Sequence, residues 1–87
     1  MAENLEKKSE LRITPELLEK IRVKFAEELD ERSRKYRSYA LLGPNIGERV
    51  ISGEKVSGAA EDLLIGIGQD FRLNPDEMDE LREKFLK

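Results

Sequence analysis

Cysteine and histidine are both absent from this 87-residue chain. Without cysteine there is neither a disulfide framework nor a thiolate metal site, so stability rests on packing alone and a reducing compartment is compatible. Without histidine the commonest general base is missing, and the best thiolate nucleophile is missing with it; carboxylates, Lys, Tyr and Ser remain. That inventory argues against an enzyme. Carboxylates are plentiful, but Glu16 with Lys20, Lys24 with Glu28, and Glu80 with Lys84 stand at the spacing of ordinary ion pairs on exposed helix faces, and no metal site is expected from them. The Gly66-Ile67-Gly68 step lacks the preceding strand and the third glycine of a dinucleotide site, so no cofactor is expected either. Long apolar runs are absent as well, far short of the roughly 20 residues of a membrane helix. The segment MAENLEKKSE lacks the apolar core of a signal peptide. The expected setting is the cytoplasm, with no membrane partner.

What is present fits one small helical domain. Hydrophobic residues make up 38% of the chain and charged residues 40%, polar for a folded protein yet well above a disordered composition. Residues 1–12 carry no sustained apolar period and are expected to form a mobile arm; residues 13–87 form the domain. Thr14-Pro15-Glu16 is a helix start, with a capping hydroxyl, a proline tolerated in the first turn and an acid near the positive dipole end. Leu18, Ile21, Phe25 and Leu29 then form one stripe of a helix reaching about Glu31.

Ser33 is positioned to cap a second helix running through Leu42, with Tyr36, Tyr39 or Ala40, and Leu42 or its neighbour as candidate inward residues. Gly43-Pro44 ends it. Asn45 to Ile51 reads as a short third helix with Ile46, Val50 and Ile51 as candidate inward residues, closed at Ser52-Gly53. A fourth comes after Ser57, with Ala60, Leu63, Leu64, Ile67 and Phe71 at helical spacing; Gly66 and Gly68 weaken it unless another backbone or subunit comes close. The fifth has the clearest signature: Asn74 as N-cap, Pro75 at the first position, Glu77 completing a capping box, Leu73 stapled on Met78, and Met78, Leu81 and Phe85 inward. The expected fold is an all-α, compact five-helix domain.

Charge is unevenly spread along it. Arg32 to Lys55 holds six basic residues against two carboxylates, a local balance of +4 in a chain whose total is −3. A basic helix, a tight corner and a second short helix are the outline of a helix-turn-helix over about residues 33–52. On that outline Arg34, Lys35, Arg37 and Lys55 are candidates to hold phosphates, and Asn45, Glu48 and Arg49 are candidates to meet base edges in a major groove.

Three segments, VISGEK at 50–55, LLIGIG at 63–68 and LNPDEM at 73–78, in this order of helices, resemble the five-helix lambda-repressor-like (Xre) DNA-binding domains over about Thr14 to Phe85. The resemblance implies that these segments end the recognition helix, pack beneath it and open the last helix. It also implies a homodimer on double-stranded DNA acting in transcription regulation. The chain departs from that pattern in a shorter Gly43-to-Gly53 spacing, in Pro44 within the turn, and in Ser33-Arg34 where the family commonly has Gln.

The residues support two functional readings. The first is a small DNA-binding transcriptional regulator, a homodimer favoured by Ala59, Ala60, Gly66 and Gly68 on the fourth helix. The alternative is a small acidic protein-interaction module, an adaptor or inhibitor, without DNA binding. Local basicity favours the first and overall acidity the second.

Overall fold

The computed structural model describes residues 13–87; the arm expected at residues 1–12 lies outside the described residues. Five α-helices occur in order: α1 Pro15–Lys35, α2 Arg37–Ala40, α3 Ile46–Ile51, α4 Glu61–Asp70 and α5 Pro75–Phe85, with a 3-10 turn at Gly58–Ala60 leading into α4. The fold is all-α, with no strand among the described residues.

α1 is the spine. Thr14 Oγ1 accepts from the Leu17 amide at 3.1 Å and Pro15 occupies the first turn, as the sequence predicts. Its Ile21, Phe25 and Leu29 are fully buried, joined by Ile46 and Val50 of α3, Leu64 of α4, and Leu81 and Phe85 of α5. Phe25 and Phe85 meet edge to face, ring centroids 5.6 Å apart, a geometry the aromatic quadrupole favours. Arg22 lies over the Phe85 ring: its guanidinium is 5.0 Å from the Phe85 centroid, and it donates to the Val50 carbonyl at 3.3 Å. One arginine thereby links α1, α3 and α5. The chain end is tied down separately, since the Val56 amide donates to the Phe85 carbonyl (2.9 Å) and the Lys87 amide to the Val56 carbonyl (2.8 Å).

The helix boundaries differ from expectation at one place that matters. α1 does not stop near Glu31 but continues to Lys35, taking in Arg32, Ser33, Arg34 and Lys35. Ser33 is not a cap: its hydroxyl donates to the Asp30 carbonyl at 2.9 Å, a bond the helix tolerates in its interior. Two pairs, Glu28 with Arg32 and Glu31 with Lys35, hold the added turn, and the basic residues sit favourably at the negative dipole end. Beyond Lys35 the chain makes only a single helical turn, α2, opened by Tyr36 in an extended conformation. Tyr39 and Leu42 pack partly on the core, whereas Tyr36 and Ala40 face solvent.

α3 ends in a Schellman turn. The Glu54 amide donates to the Arg49 carbonyl and the Gly53 amide to the Val50 carbonyl, both at 2.9 Å, with Gly53 at φ 102° where a side chain would be strained. α5 opens on the expected capping box, Glu77 amide to Asn74 Oδ1 at 2.8 Å and Asn74 amide to Glu77 Oε1 at 2.9 Å. The two glycines of α4 part ways. Gly68 is buried under Met78 and Leu73, so its missing side chain serves a contact within the chain, whereas Gly66 faces open space. The small residues that suggest a subunit contact are thus partly used up inside the fold, Ala60 and Gly68 both being buried.

Candidate interaction surfaces

The candidate phosphate-binding residues occupy two places. Arg34 and Lys35 end α1 and Arg37 begins α2, all exposed, so they share one corner. Lys55 lies elsewhere, beside Leu18, Arg22 and Lys84. Twelve residues of helix between Arg22 and Arg34 set it roughly 18 Å from that corner along α1. Within the corner, Lys35 Nζ is 3.0 Å from Glu31 Oε2; the ammonium donates to that carboxylate and lowers its pKa, and the carboxylate raises that of Lys35 in return. Arg32 reaches toward Glu28 (3.9 Å) and stands 5.7 Å from the Tyr39 ring centroid. Arg34 and Arg37 form no ion pair among the described residues.

The base-edge candidates separate as well. Asn45 adopts a left-handed conformation (φ 55°) before α3, and its side chain makes no cap bond. Glu48 is exposed on α3. Arg49 turns back on its own chain: Nε donates to Glu54 Oε1 at 3.0 Å and a terminal nitrogen to the Leu42 carbonyl at 3.1 Å. It braces the Gly43 corner against the loop after α3, and the sequence offers no sign of that task.

The outward side of α3 instead faces a hollow shared with α1. Val23, Ala26, Gly47 and Ile51 give it an apolar floor, and Glu27, Asp30 and Glu48 stand around it, a space of about 560 Å³. Three carboxylates and no cation line it. Val23 and Ile51 are large apolar side chains left 39% and 46% exposed, so covering them would gain the free energy of removing apolar surface from water. A second shallow hollow continues past Val23 to Phe71, bordered by Glu16, Glu19, Lys20, Lys24 and Glu27. By contrast the acidic face of α5, where Asp76, Asp79, Glu80 and Glu83 gather near Lys84, has no apolar floor.

Sequence reasoning passes over Val23, a single apolar residue outside a periodic stripe, and expects Ile51 to join Ile46 and Val50 inward, whereas Ile51 is exposed because the step from Val50 turns it off the buried side of the helix. Position is the available signal: Val23 falls between the inward positions Ile21 and Phe25, and Ile51 comes directly after the inward Val50. Leu41 belongs with them as the most exposed large apolar side chain among the described residues, 81% open to solvent at the end of α2.

Among the described residues no group of three or more carboxylates is placed to hold a metal ion, and no helix is long and apolar enough to cross a membrane. Comparison of the chain with protein-family models, with curated proteins and with solved structures returns no match.

Proposed function

We propose that this chain is a small protein-interaction module that docks an amphipathic helix, apolar on one face and flanked by Arg or Lys, in the hollow between α1 and α3. The observation that carries the reading is the character of that face. A helix-turn-helix would insert the outer side of α3 into a duplex, yet that side presents Glu48 and Ile51 beside Glu27 and Asp30. Three carboxylates repel a phosphate backbone and attract a basic segment, while Val23, Ala26 and Ile51 supply the apolar contact that such helix-in-groove complexes use. The cytoplasm is the proposed setting, in keeping with a chain free of cysteine.

The test is fluorescence anisotropy with a labelled Leu/Lys amphipathic helical peptide as probe. Binding should weaken at least tenfold in Ile51→Glu and change little in the Glu80→Gln/Glu83→Gln double variant on α5. Equal losses in both would mean attraction by charge alone and would remove the docking reading.

The second reading is a DNA-binding transcriptional regulator, favoured by Arg34 and Arg37, two exposed guanidinium groups on either side of Tyr36 that form no ion pair among the described residues. On this reading Lys35 and Lys55 add phosphate contacts, and Asn45, Glu48 and Arg49 approach base edges. Arg49 must then leave both Glu54 and the Leu42 carbonyl. Titration of a random-sequence duplex over a range of salt concentrations decides it: log affinity falling linearly with log salt, and a flatter slope in Arg34→Ala/Arg37→Ala, support DNA binding, and no measurable complex at low salt removes it.

A further inference from the structure

The docking face and the basic corner are not separate surfaces. Glu27 and Asp30, at the edge of the apolar hollow, also line a hollow of about 460 Å³ whose other walls are Glu31, Arg34 and Lys35. Positions 27, 30 and 34 succeed one another at steps of three and four, so they form a single strip along α1. One end of that strip is acidic over an apolar floor of Val23, Ala26 and Ile51. Its other end is basic and adjoins the turn with the exposed apolar side chains Tyr36 (52%) and Leu41 (81%). Each end carries what the other lacks.

From this we infer that the occupant of the hollow is a second copy of this chain, lying antiparallel along the strip with Arg34 of each copy over Glu27 of the other. The inference rests on the docking reading above and names its partner. A two-fold axis makes the contact self-complementary, since any residue pair formed once is formed twice. With Glu27 opposite Arg34, the antiparallel register sets Val23 against the Tyr36–Leu41 turn of the second copy, so apolar meets apolar at both ends while the charges pair between them. Asp30 and Glu31 approach each other near the axis, but each already has a partner within its own chain: Asp30 accepts from the Gly47 amide at 3.0 Å, and Glu31 from Lys35. Leu41 is the natural anchor. An apolar side chain exposed in the monomer and enclosed in a pocket of the partner is the pattern of an interface hot spot.

Analytical ultracentrifugation of the full chain tests this, with circular dichroism to verify that each variant keeps its helices. The wild type sediments as a concentration-dependent dimer. Leu41→Asp weakens association by roughly 30-fold, the loss expected of a hot-spot side chain. Glu27→Arg and Arg34→Glu each weaken it, and the double variant Glu27→Arg/Arg34→Glu restores it to within a few-fold of wild type, because the exchanged charges again face each other. A dimer indifferent to Leu41→Asp, or one that the double exchange leaves as weak as the single changes, overturns the inference. A chain that stays monomeric at millimolar concentration yet binds the Leu/Lys peptide through Ile51 overturns the second copy as occupant and leaves the docking reading in place. One that does neither overturns both.

Discussion

The backbone amide of Gly47 donates to Oδ1 of Asp30 at 3.0 Å, so a carboxylate on α1 caps the first turn of α3 across 17 positions of sequence. Asn45, the residue placed to cap α3 locally, makes no such bond. The contact requires the glycine: a Cβ there would lie only 2.6 Å from Asp30 Cγ. Because this bond sets α3 against α1, it also sets the shape of the hollow between them.

Gly47→Ala therefore destabilises the domain although alanine is the better helix former by about 1 kcal/mol. The displaced carboxylate and the orphaned amide together cost about 1–3 kcal/mol. Asp30→Ala costs a similar amount, and the double variant is far less damaged than the two losses added, since both remove one interaction. Urea denaturation measures all three; a Gly47→Ala protein as stable as its parent would refute the cap.

The glycines of α4 give a contrast within one helix. Gly66→Ala adds a methyl group to open space and raises stability by about 0.5–1 kcal/mol through helix propensity. Gly68→Ala drives a methyl group into the Met78 thioether and lowers stability, a loss that a smaller residue at 78 partly recovers. Thermal melts of the two single variants moving in the same direction would contradict the packing.

At α5, Asn74→Ala removes half of the capping box and costs about 0.5–2 kcal/mol. Phe85→Ala costs more, about 3–5 kcal/mol, because it empties a fully buried site and removes the ring that Phe25 and Arg22 both contact. A Phe85→Ala variant melting like the parent would mean that α5 is not part of the core.

The exposed Glu31–Lys35 pair makes a small contribution with a definite sign. Lys35 holds the Glu31 carboxyl below its usual range, so that share of stability is present at neutral pH and is lost as pH falls through the lowered value. Glu31 holds Lys35 above its usual value, so the matching share is lost only as pH rises through the raised one. Glu31→Gln should lower the melting temperature slightly at neutral pH and low salt, and not at all in strong acid or in about 1 M salt, where the Debye length is near 3 Å. A difference that persists in acid or high salt would point to another role for Glu31.

Local signals proved readable wherever the interaction is local. Thr14, Pro15, Asn74 and Glu77 act within one helical turn, and the stripes Ile21-Phe25-Leu29 and Met78-Leu81-Phe85 need only a period of 3.6 to be seen. Ser33 misleads because the same hydroxyl can cap a helix or bond back inside one, and the pairs Glu28–Arg32 and Glu31–Lys35 that support the added turn are visible only once α1 is allowed past Glu31. The end of α4 is hidden because Arg72 occupies the left-handed position, φ 59°, that glycine usually marks. The Asp30 cap on Gly47 and the Val56 to Leu86 bridge join residues far apart and have no sequence signature. In the basic island the net charge is legible, but the carboxylates near Arg32, Lys35 and Arg49 depend on the fold, and so does the acid-rimmed floor at Val23 and Ile51.

Docking in the hollow between α1 and α3 is the function proposed for this protein, and amide chemical-shift mapping is its sharpest test. On titration of the isotope-labelled chain with the Leu/Lys peptide, the largest perturbations should fall at Val23, Ala26, Gly47 and Ile51, with little change from Asp76 to Lys84. Perturbations centred on the acidic face of α5, or a response confined to Arg34 and Arg37 when duplex DNA replaces the peptide, would contradict it.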